Sequence, residues 1–470
     1  MKKNLKNNIL NKLIYIAGFL IVGYSFFIYL FASDYTYAAA PSKENVVVYI
    51  SIRIFTGIVY TLAVILILRK QISIRKILIF IFSVGLISRI ILIPTEPILE
   101  DDFNRYLWDG AVTANGFNPY EYSPKLFLKK DSISNSAPQT LIILADKYQD
   151  IVEQINFPHI RTIYPPVAQA VFAVAYFVKP FSIPIWKTLL LLLDLLVFYL
   201  LLKVLKELKL NSVLVVIYWW NPILIHEIFN AAHMDLLIFP FVIGAILFYL
   251  KEKYIYSAIL FAFAVGVKIW PIIFIPFVLK KALQNKKVFI FASVIASTII
   301  LLNIYPIIIT KFDNSLGFVT YSKNWTNNES VFQLINILVK QIIYNFKIDY
   351  QNSLRVTRWV VFFIFSVLII FQVSRKEKSD SDLLKKLYYL VAIMYLISPT
   401  QFPWYYTWVL PLLVLSPRLS FTAYAILLPL YQLKYFWDYL VWIEHIPIII
   451  LFIIEMAYPK FADYLQEKIN

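Results

Sequence analysis

Long apolar runs separated by short polar and basic segments make up most of this chain of 470 residues. Many of the runs reach the length, roughly 17 to 25 residues, that an α-helix needs to cross a bilayer. Basic clusters such as Lys280 and Lys281 mark the cytoplasmic ends of these runs. The pattern predicts an all-α, polytopic transmembrane helical bundle of about 11 to 14 spans. We expect a single domain over residues 1–470, with both termini in the cytoplasm.

The predicted spans share an apolar core and polar ends, and they lie near residues 13–32, 46–68, 77–93, 187–204, 212–225, 236–250, 254–280, 288–306, 356–373, 386–399, 404–416, 421–433 and 446–457. We expect Lys268 and Pro271 to divide the span at 254–280 into two shorter helices. The apolar run at 164–181 is expected to be re-entrant or interfacial. If the run at 164–181 crossed the bilayer completely, Lys203, Lys206 and Lys209, at the end of the span 187–204, would lie on the outer side.

Composition excludes several classes of protein. Hydrophobic residues make up 60% of the chain, and the mean hydropathy is +0.70. A chain of this composition has more apolar surface than a water-soluble domain can bury. The absence of cysteine excludes disulfides, thiol nucleophiles and Cys-ligated zinc. The formal net charge of +16 fits cytoplasmic loops beside anionic lipid, so we expect membrane lipids and no nucleic acid as partners.

Two long polar segments, at 95–165 and 307–354, are predicted to lie on the extracytoplasmic side. The first contains three adjacent carboxylates, Glu100, Asp101 and Asp102, which repel one another and anionic headgroups. Such a cluster suits a carboxylate that accepts a proton from a hydroxyl nucleophile. It is equally typical of a helix N-terminus, where the macrodipole favours anions, and it also suits a hard divalent cation.

A helix that starts near Asp102 would place Arg105, Tyr106 and Asp109 on the same face, at spacings of three, four and seven residues. The opposite, apolar face would lie against the membrane or the core. We therefore expect a short extracytoplasmic amphipathic helix here. Asn118 follows in a predicted turn.

Four further candidate residues stand at the predicted outer ends of spans: Arg161, Tyr164, Lys268 and Trp404. An arginine at this level could bind a phosphate or contact a lipid headgroup. A lysine in an apolar hairpin either snorkels to the interface or meets an anion. Aromatic residues at an outer turn form either an interfacial belt or one wall of a sugar site.

Two of the four histidines lie close together in sequence. His226, Asn230 and His233 would share one face of a helix, and Asp235 follows. The zinc motif H-E-x-x-H is absent because position 230 is Asn, so the sequence predicts no zinc site here. A structural polar patch and a site for the phosphate or sugar of a substrate both fit these residues.

The order of these features resembles GT-C-type integral membrane glycosyltransferases, in particular the bacterial polyprenyl-phosphate-mannose-dependent mannosyltransferases. The resemblance rests on the carboxylates followed by R-Y-x-W-D-G at 105–110 and by N-P-Y at 118–120. The segments 164–166, 230–235 and 268–271 support it. It implies a GT-C-like fold and the inverting transfer of a hexose, namely mannose, from a polyprenyl-phosphate-linked donor to an acceptor hydroxyl. The acceptor would be a glycan, a glycolipid or another hydroxyl compound.

In such families an acidic residue of the first outer loop is the catalytic base, which implicates Asp102 or Asp101 here. Asp102 is favoured because Tyr106 follows it by one helical turn. The residues expected to bind the donor phosphate are Arg105, Arg161, His233 and Lys268. Those expected to bind other parts of the substrates are Glu100, Tyr106, Asp109, Asn118, Tyr164, His226, Asn230, Asp235 and Trp404.

The sequence indicates no certain cofactor, and a divalent cation is compatible with the carboxylates. The high content of Ile, Lys and Asn is typical of a bacterial chain, so we expect the inner membrane, with the active site facing the extracytoplasmic side. The alternative function is a polytopic transporter or flippase of lipid-linked or polar substrates. That alternative predicts paired charges near the midplane and repeat symmetry, whereas the charges here concentrate at one face.

Overall fold

The computed structural model describes residues 2–68, 74–128, 137–346 and 353–458. Within these ranges the backbone forms helices and two isolated β-bridges, without a β-strand. The predicted all-α class is therefore confirmed. Parts of both polar segments predicted to be extracytoplasmic, at 129–136 and 347–352, lie outside the described residues.

Contacts within the chain divide it into two compact units. Unit 1 comprises Met1–Thr95, Leu201–Asn230 and Thr326–Asn470, and unit 2 comprises Glu96–Leu200 and Ala231–Trp325. The single domain expected from the sequence stays a prediction.

Unit 1 contains most of the long apolar helices. Its described helical segments are Lys2–Phe31, Ala32–Tyr35, Lys43–Leu68, Ile74–Leu92, Ser212–Val215, Val216–Trp219, Pro222–Leu224, Ile225–Asn230, Val331–Asn345, Ser353–Ser374, Asp380–Ile397, Pro403–Tyr406, Thr407–Val409, Leu410–Leu415, Leu419–Leu427, Leu428–Tyr435 and Leu440–Ala457. The segment Ile225–Asn230 is a π-helix, a form that occurs mostly as single turns and often at functional sites.

Unit 2 consists mainly of shorter helices. Its described helical segments are Asp102–Ala114, Pro124–Phe127, Gln139–Lys147, Gln149–Glu153, Pro166–Val178, Met234–Ile238, Phe239–Leu250, Tyr254–Val265, Trp270–Phe274, Ile275–Ala282, Lys286–Ile308 and Gly317–Asn324. The helix Ile183–Glu207 is divided between the two units near residue 200.

The described residues include six helices that are long and apolar enough to cross a membrane, and a seventh span if the bent pair Ser212–Trp219 and Pro222–Asn230 is counted as one. The six are Lys12–Tyr35, Lys43–Leu68, Ile183–Glu207, Lys286–Ile308, Ser353–Ser374 and Leu440–Ala457. A multi-pass membrane protein is thus confirmed, with fewer full-length spans than the sequence suggested.

Breaks in several apolar runs account for part of the lower number of spans. The run at 254–280 forms Tyr254–Val265 and Ile275–Ala282 on either side of the turn Trp270–Phe274, as Lys268 and Pro271 predicted. The run at 404–416 likewise divides into helices of four, three and six residues. Proline early in such a segment starts a new helix, because it lacks the amide hydrogen needed inside a continuous one.

The helix Pro166–Val178 has 13 residues. At 1.5 Å per residue it is about 20 Å long, shorter than the ~30 Å hydrocarbon core of a bilayer. Its length therefore fits the expectation of a re-entrant or interfacial helix, and its place relative to the bilayer stays a prediction.

A helix begins at Asp102, as the sequence predicts, and extends to Ala114. We call Asp102–Ala114 the acidic helix. It packs along Pro166–Val178 so closely that a Cβ on Gly110 would lie 2.5 Å from the carbonyl oxygen of Phe172. A side chain at position 110 would therefore separate the two helices.

Both faces of the acidic helix are buried, whereas the sequence predicted an amphipathic helix with one polar face. All residues from 103 to 112 are buried. On the apolar side, Trp108 and Val112 form a hydrophobic cluster with residues of two short covering helices, namely Leu141, Ala145 and Val152. These covering helices come from the polar segment that follows the motif, so burial of both faces could not be read from the periodicity of the acidic helix alone.

Candidate active site

The carboxylate cluster, defined as Glu100, Asp101 and Asp102, lies at the N-terminus of the acidic helix in unit 2. Oε1 of Glu100 accepts hydrogen bonds from the backbone amides of Asp101 and Asp102, both at 3.0 Å. Glu100 therefore satisfies amides that a helix N-terminus leaves without helical partners. Asp101 makes no side-chain capping bond. The two aspartates are thus available for other contacts.

His233 lies against the carboxylate cluster and is completely buried. Its Nε2 is 3.2 Å from Oε2 of Glu100, and its Nδ1 is 4.0 Å from Oδ2 of Asp102. The hydroxyl of Tyr106 is 3.4 Å from the same Nδ1. The structure thus brings His233 to Glu100, Asp102 and Tyr106, which the sequence analysis had nominated in a different part of the chain.

Asn156 joins the two aspartates, a contact that the sequence analysis did not foresee. Its side-chain amide donates to Oδ1 of Asp101 at 2.7 Å and to Oδ1 of Asp102 at 2.8 Å. One amide nitrogen carries two hydrogens, so it can serve both carboxylates at once. With Oδ1 bound in this way, Oδ2 of Asp102 faces His233. The Asp102 side chain is 23% exposed.

Burial and crowding raise the pKa of both aspartates. Burial, followed by the charges of Glu100 and Asp102, raises the pKa of Asp101 to about 7. Burial and the charge of Glu100 raise the pKa of Asp102 to about 6, against the lowering effects of His233, Asn156 and Lys268. A carboxylate with a pKa near 6 is mostly ionised at neutral pH and is a stronger base than an ordinary aspartate.

Lys268 and Asp235 form an ion pair beside the carboxylate cluster. Nζ of Lys268 lies 2.6 Å from Oδ1 of Asp235, with side chains 15% and 1% exposed. Burial lowers the pKa of Lys268, and the charges of Asp235 and Asp102 act in the opposite direction. The ammonium is therefore close enough to Asp102 to interact with it electrostatically.

Tyr106 lies in an aromatic cluster behind the site. Its ring stacks on Phe172 at 5.1 Å between centroids and meets Tyr164 edge-on, also at 5.1 Å. Trp186, packed against the same rings, donates its indole N–H to the carbonyl of Ala232 at 2.8 Å. Ala232 has φ of +65°, an unfavourable region for a residue other than glycine. The bond from Trp186 therefore helps to hold the strained backbone of Ala232, next to His233. Strained backbone held by tertiary contacts is common at functional sites.

Asp109 points away from the carboxylate cluster, toward Gln169. The Gln169 amide donates to Oδ2 of Asp109 at 3.2 Å, to Thr162 at 2.9 Å and to the carbonyl of Tyr164 at 3.2 Å. Burial raises the pKa of Asp109, and the neighbouring Arg105 lowers it. These bonds connect the acidic helix to the helix Pro166–Val178.

The two arginines nominated for the donor phosphate are bound to protein groups instead. Arg105 donates to the backbone carbonyls of Asn156, Phe157 and Ile160 at 3.0 to 3.3 Å. Arg161 donates to the carbonyls of Tyr120 and Lys311, to Ser315 Oγ and to Oδ1 of Asp313. Both arginine residues are at least 93% buried. Their geometry supports a role in holding loops.

Asn118 and Tyr164 also take part in loop contacts. Asn118 donates to the carbonyl of Pro306 at 3.0 Å and accepts from the amide of Tyr120 at 3.1 Å. The carbonyl of Tyr164 accepts from the Tyr120 hydroxyl at 2.6 Å. Of these two, Tyr164 reaches the site through its ring.

The helical face predicted for His226, Asn230 and His233 does not form. The π-helix ends at Asn230, and His233 follows a turn with a left-handed Ala232. The prediction was wrong because a short polar run has no signal for this break. His226 and Asn230 belong to unit 1, where they bond to Tyr49 and Thr95, respectively.

Unit 1 also contains Trp404, which the sequence analysis assigned to a sugar site. Its ring stacks on Phe402 with centroids 4.3 Å apart. Trp404 is partly exposed, and Phe402 beneath it is buried.

Among the residues that the structure describes, Glu100, Asp102 and His233 could hold a metal ion. One ligand atom from each lies within 4.8 Å of the others. Oxygen and imidazole ligands suit several divalent metals, so the geometry is compatible with the cation that the carboxylates suggested.

The comparisons with known proteins give one match. The family model described as Glycosyltransferase family 87 matches residues 162–399, which is half of the chain. The matched part includes His233, Asp235 and Lys268, whereas the carboxylate cluster precedes it. No curated protein and no solved structure is significantly similar to the chain.

Proposed function

The chain belongs to glycosyltransferase family 87, and we propose that it transfers a hexose from a polyprenyl-phosphate donor to an acceptor hydroxyl with inversion. The resemblance to membrane glycosyltransferases is thereby confirmed, and the transporter or flippase alternative is set aside. Mannose as the sugar, a bacterial inner membrane and an active site on the extracytoplasmic side are parts of the proposal.

Asp102 is the proposed general base. The observation that carries this assignment is the orientation of its carboxylate. Asn156 donates to Oδ1 of Asp102 at 2.8 Å, and Oδ2 of Asp102 lies 4.0 Å from Nδ1 of His233. The Asp102 side chain is partly exposed. A hydroxyl entering at Oδ2 can give up its proton there as its oxygen attacks the anomeric carbon. Asp101 is the second candidate because it shares the Asn156 bridge.

The leaving group is the phosphate of the lipid donor. As the acceptor oxygen forms its bond to the anomeric carbon, the bond from that carbon to the phosphate oxygen breaks, and the polyprenyl phosphate departs with the electron pair. A phosphate leaves without prior protonation more readily than an alkoxide, so one base is sufficient. Hydrolysis by a glycosidase, in contrast, uses two carboxylates.

Lys268 and His233 are the groups that would offset the charge developing on the phosphate. Lys268 is 15% exposed, and its charge lowers the pKa of Asp102, which supports a role for its ammonium beside the base. A preorganised cation in a site of low water content lowers the barrier for a step that develops negative charge. Arg105 and Arg161 are not part of this proposal because their donors bind loop carbonyls.

Asn156 and Glu100 are proposed as positioning residues. Asn156 holds both aspartates, and Arg105 in turn binds the backbone carbonyl of Asn156 at 3.3 Å. Glu100 fixes the start of the acidic helix and contacts His233. Side chains held in this way are ordered before the substrates arrive.

Product analysis tests the proposal. Purified protein in nanodiscs would be incubated with octyl α-mannoside as acceptor and with β-linked polyprenyl-phosphate mannose, glucose, galactose or N-acetylglucosamine as donor. We expect polyprenyl-phosphate mannose to give an α-linked product, seen in the anomeric region of the NMR spectrum. Transfer from nucleotide sugars alone, or a product that retains the β-configuration, would contradict the proposal.

A further inference from the structure

Two loops of unit 1 are fastened together next to the start of the helix Leu440–Ala457. The amide of Asn327 donates to the carbonyl of Pro399, and the amide of Gln401 donates to the carbonyl of Asn327, both at 2.9 Å. The side chain of Asn328 binds the carbonyl of Gln401 at 3.1 Å and Oε1 of Glu444 at 2.9 Å. These bonds give the residues on the loops fixed positions.

Three aromatic rings pack together at the edge of these loops, two of them parallel and the third nearly perpendicular to them. Trp404 stacks on the buried Phe402, with 4.3 Å between centroids and 6° between planes. Tyr431 stands at 81° to Trp404, with centroids 6.3 Å apart. We call Trp404, Phe402 and Tyr431 the aromatic corner. Trp404 and Tyr431 are both partly exposed, so parts of two rings set at nearly a right angle are accessible at the aromatic corner.

A buried ammonium group lies at the aromatic corner. Lys434 is 8% exposed, and its Nζ lies 4.7 Å from the centroid of the Tyr431 ring. Nζ donates to Oδ1 of Asn327, whose Nδ2 lies 3.3 Å from the hydroxyl of Tyr431. In the part of the chain that the structure describes, no carboxylate lies within 4.0 Å of this ammonium. An ammonium has three donors, so one amide oxygen leaves it able to bind a further oxygen.

The surrounding charges disfavour an anionic ligand. Burial lowers the pKa of Lys434 to about 8, and the charges that oppose this shift belong to Glu444, Glu329 and Asp438. Glu329 and Asp438 therefore supply negative charge near the ammonium, which disfavours a phosphate at this position. A neutral ligand rich in hydroxyl groups, in contrast, can accept from the ammonium, donate to a carboxylate and place its apolar face on a ring.

We propose that the aromatic corner, together with Lys434 and Asn327, binds a neutral pyranose residue of the acceptor glycan. The C–H face of the sugar packs on the Trp404 ring, and its hydroxyl groups reach Nζ of Lys434 and the Asn327 amide. Burial of that apolar face supplies the affinity, and the polar groups fix the orientation. The inference rests on the proposed transfer to an acceptor hydroxyl, since a glycosyltransferase needs a site for the glycan that it extends.

An interfacial aromatic belt is the simpler explanation for rings at the end of spans, and the structure disfavours it here. Rings that face lipid are exposed on the isolated chain, as Trp359 is at 63%. Phe402, in contrast, is 8% exposed and backs the Trp404 ring, and an ammonium is enclosed with Tyr431. Rings that pack on one another around fixed polar groups are typical of a ligand site.

Saturation-transfer difference NMR tests this inference without requiring turnover. The full-length protein in detergent would be titrated with the methyl glycosides of mannose, glucose and galactose, and with methyl α-mannobioside. The variants are Trp404→Ala, Tyr431→Ala, Lys434→Met and Asp102→Asn, with Trp359→Ala as the matched control on a lipid-facing position. Thermal melting would confirm that each variant is folded.

We expect at least one glycoside to bind the unaltered protein and Trp359→Ala equally, with affinity about tenfold weaker in Trp404→Ala, as for loss of an aromatic hot spot. Tyr431→Ala and Lys434→Met should weaken binding in the same direction. Absence of any glycoside signal, or equal binding by Trp404→Ala and Tyr431→Ala, would overturn the inference. Binding lost only in Asp102→Asn would also overturn it, because the sugar would then be held at the carboxylate cluster and the proposed function would stand.

The same variants separate a free glycan from a lipid-linked one. If the acceptor is lipid-linked, Trp404→Ala should raise the KM for octyl mannobioside in the transfer assay and leave the KM for the polyprenyl-phosphate donor unchanged. If it is a free glycan, the same change should appear with methyl mannobioside. An altered donor KM with an unaltered acceptor KM for both compounds would contradict an acceptor site at the aromatic corner.

Discussion

Nε2 of His233 lies 3.2 Å from Oε2 of Glu100, although 132 positions separate the two residues in the sequence. Nδ1 of the same ring faces Asp102 at 4.0 Å. An imidazole between two carboxylates can carry a positive charge that offsets part of their repulsion. This contact helps to explain how the three adjacent acids of the carboxylate cluster can lie together in a partly buried site.

The rate of transfer should depend on the ionisation of Asp102. Because its pKa is raised to about 6, kcat/KM should rise with pH up to about 6 and level off near 7. A general base acts only when deprotonated, so activity is lost as the pH falls through this pKa. Initial rates with the polyprenyl-phosphate donor between pH 4.5 and 8.5 would measure the midpoint. A flat profile, or a fall in activity across the range from 5 to 7, would contradict the assignment.

Asn156→Ala should move this profile to higher pH. The amide of Asn156 donates to both aspartates and lowers the pKa of each. Removal of a hydrogen bond to a charged group should shift the acidic limb upward by about one pH unit. The exposed neighbour Gln154 provides the control, and Gln154→Ala should leave the profile unchanged. A lower rate without a shift of the midpoint would show that Asn156 has a structural role and does not set the pKa of the aspartates.

Loss of the Lys268 ammonium should weaken use of the lipid donor. Lys268→Met alone would leave Asp235 buried without its ion-pair partner, at a cost of about 3–5 kcal/mol in stability. The double variant Lys268→Met with Asp235→Asn avoids that charge. We expect it to fold and to raise the donor KM about tenfold or more, with a fall in kcat, while the acceptor KM is unaffected. A normal donor KM and kcat in the folded double variant would exclude Lys268 from phosphate binding.

Gly110→Ala should destabilise unit 2. The added Cβ would lie 2.5 Å from the carbonyl oxygen and 2.8 Å from the carbonyl carbon of Phe172, so the acidic helix must move away from its neighbour. Overpacking of this kind costs about 1–3 kcal/mol. Thermal melting in detergent should show a lower Tm, together with reduced activity. Gly23→Ala is the control because a Cβ there meets nothing within 4 Å. Equal melting of the two variants would show that the close approach of the helices is not needed.

Accessibility labelling tests the predicted membrane orientation. The chain has no cysteine, so single cysteines give an unambiguous signal. Glu121→Cys, on an exposed position after the acidic helix, should react with an impermeant maleimide in intact cells. Gln284→Cys, among the lysines at 280–287, should react only after permeabilisation. The reverse pattern would place the site in the cytoplasm.

Local sequence signals predicted the features that depend on a few neighbouring residues. The start of a helix at Asp102 and the break around Lys268 and Pro271 both follow from such signals, and the structure confirms them. Likewise, long apolar runs gave the all-α membrane class. The structure describes six helices, or seven with the bent pair, that are long and apolar enough to cross a membrane, and several other predicted runs form short helices instead, because apolar runs look alike in either case.

The tertiary contacts of the site were not predictable in this way. Asn156 lies 54 residues from Asp102, and Gln169 lies 60 residues from Asp109. A lone Asn or Gln in a polar loop has no spacing that points to a partner. Arg105 and Arg161 show a different limit of the sequence. Their charge near the outer ends of the spans suggested a phosphate site, whereas their donors bind backbone carbonyls in the structure. Charge type alone did not distinguish a ligand contact from a loop contact.

The most direct measurement is the transfer rate of purified Asp102→Asn with the polyprenyl-phosphate donor, compared with Asp101→Asn and the unaltered protein. The amide keeps the size of the side chain and cannot accept the proton. We expect kcat to fall by about 10²- to 10⁴-fold in Asp102→Asn and by much less in Asp101→Asn, with donor binding retained in both. Full activity of Asp102→Asn and Asp101→Asn would contradict the account.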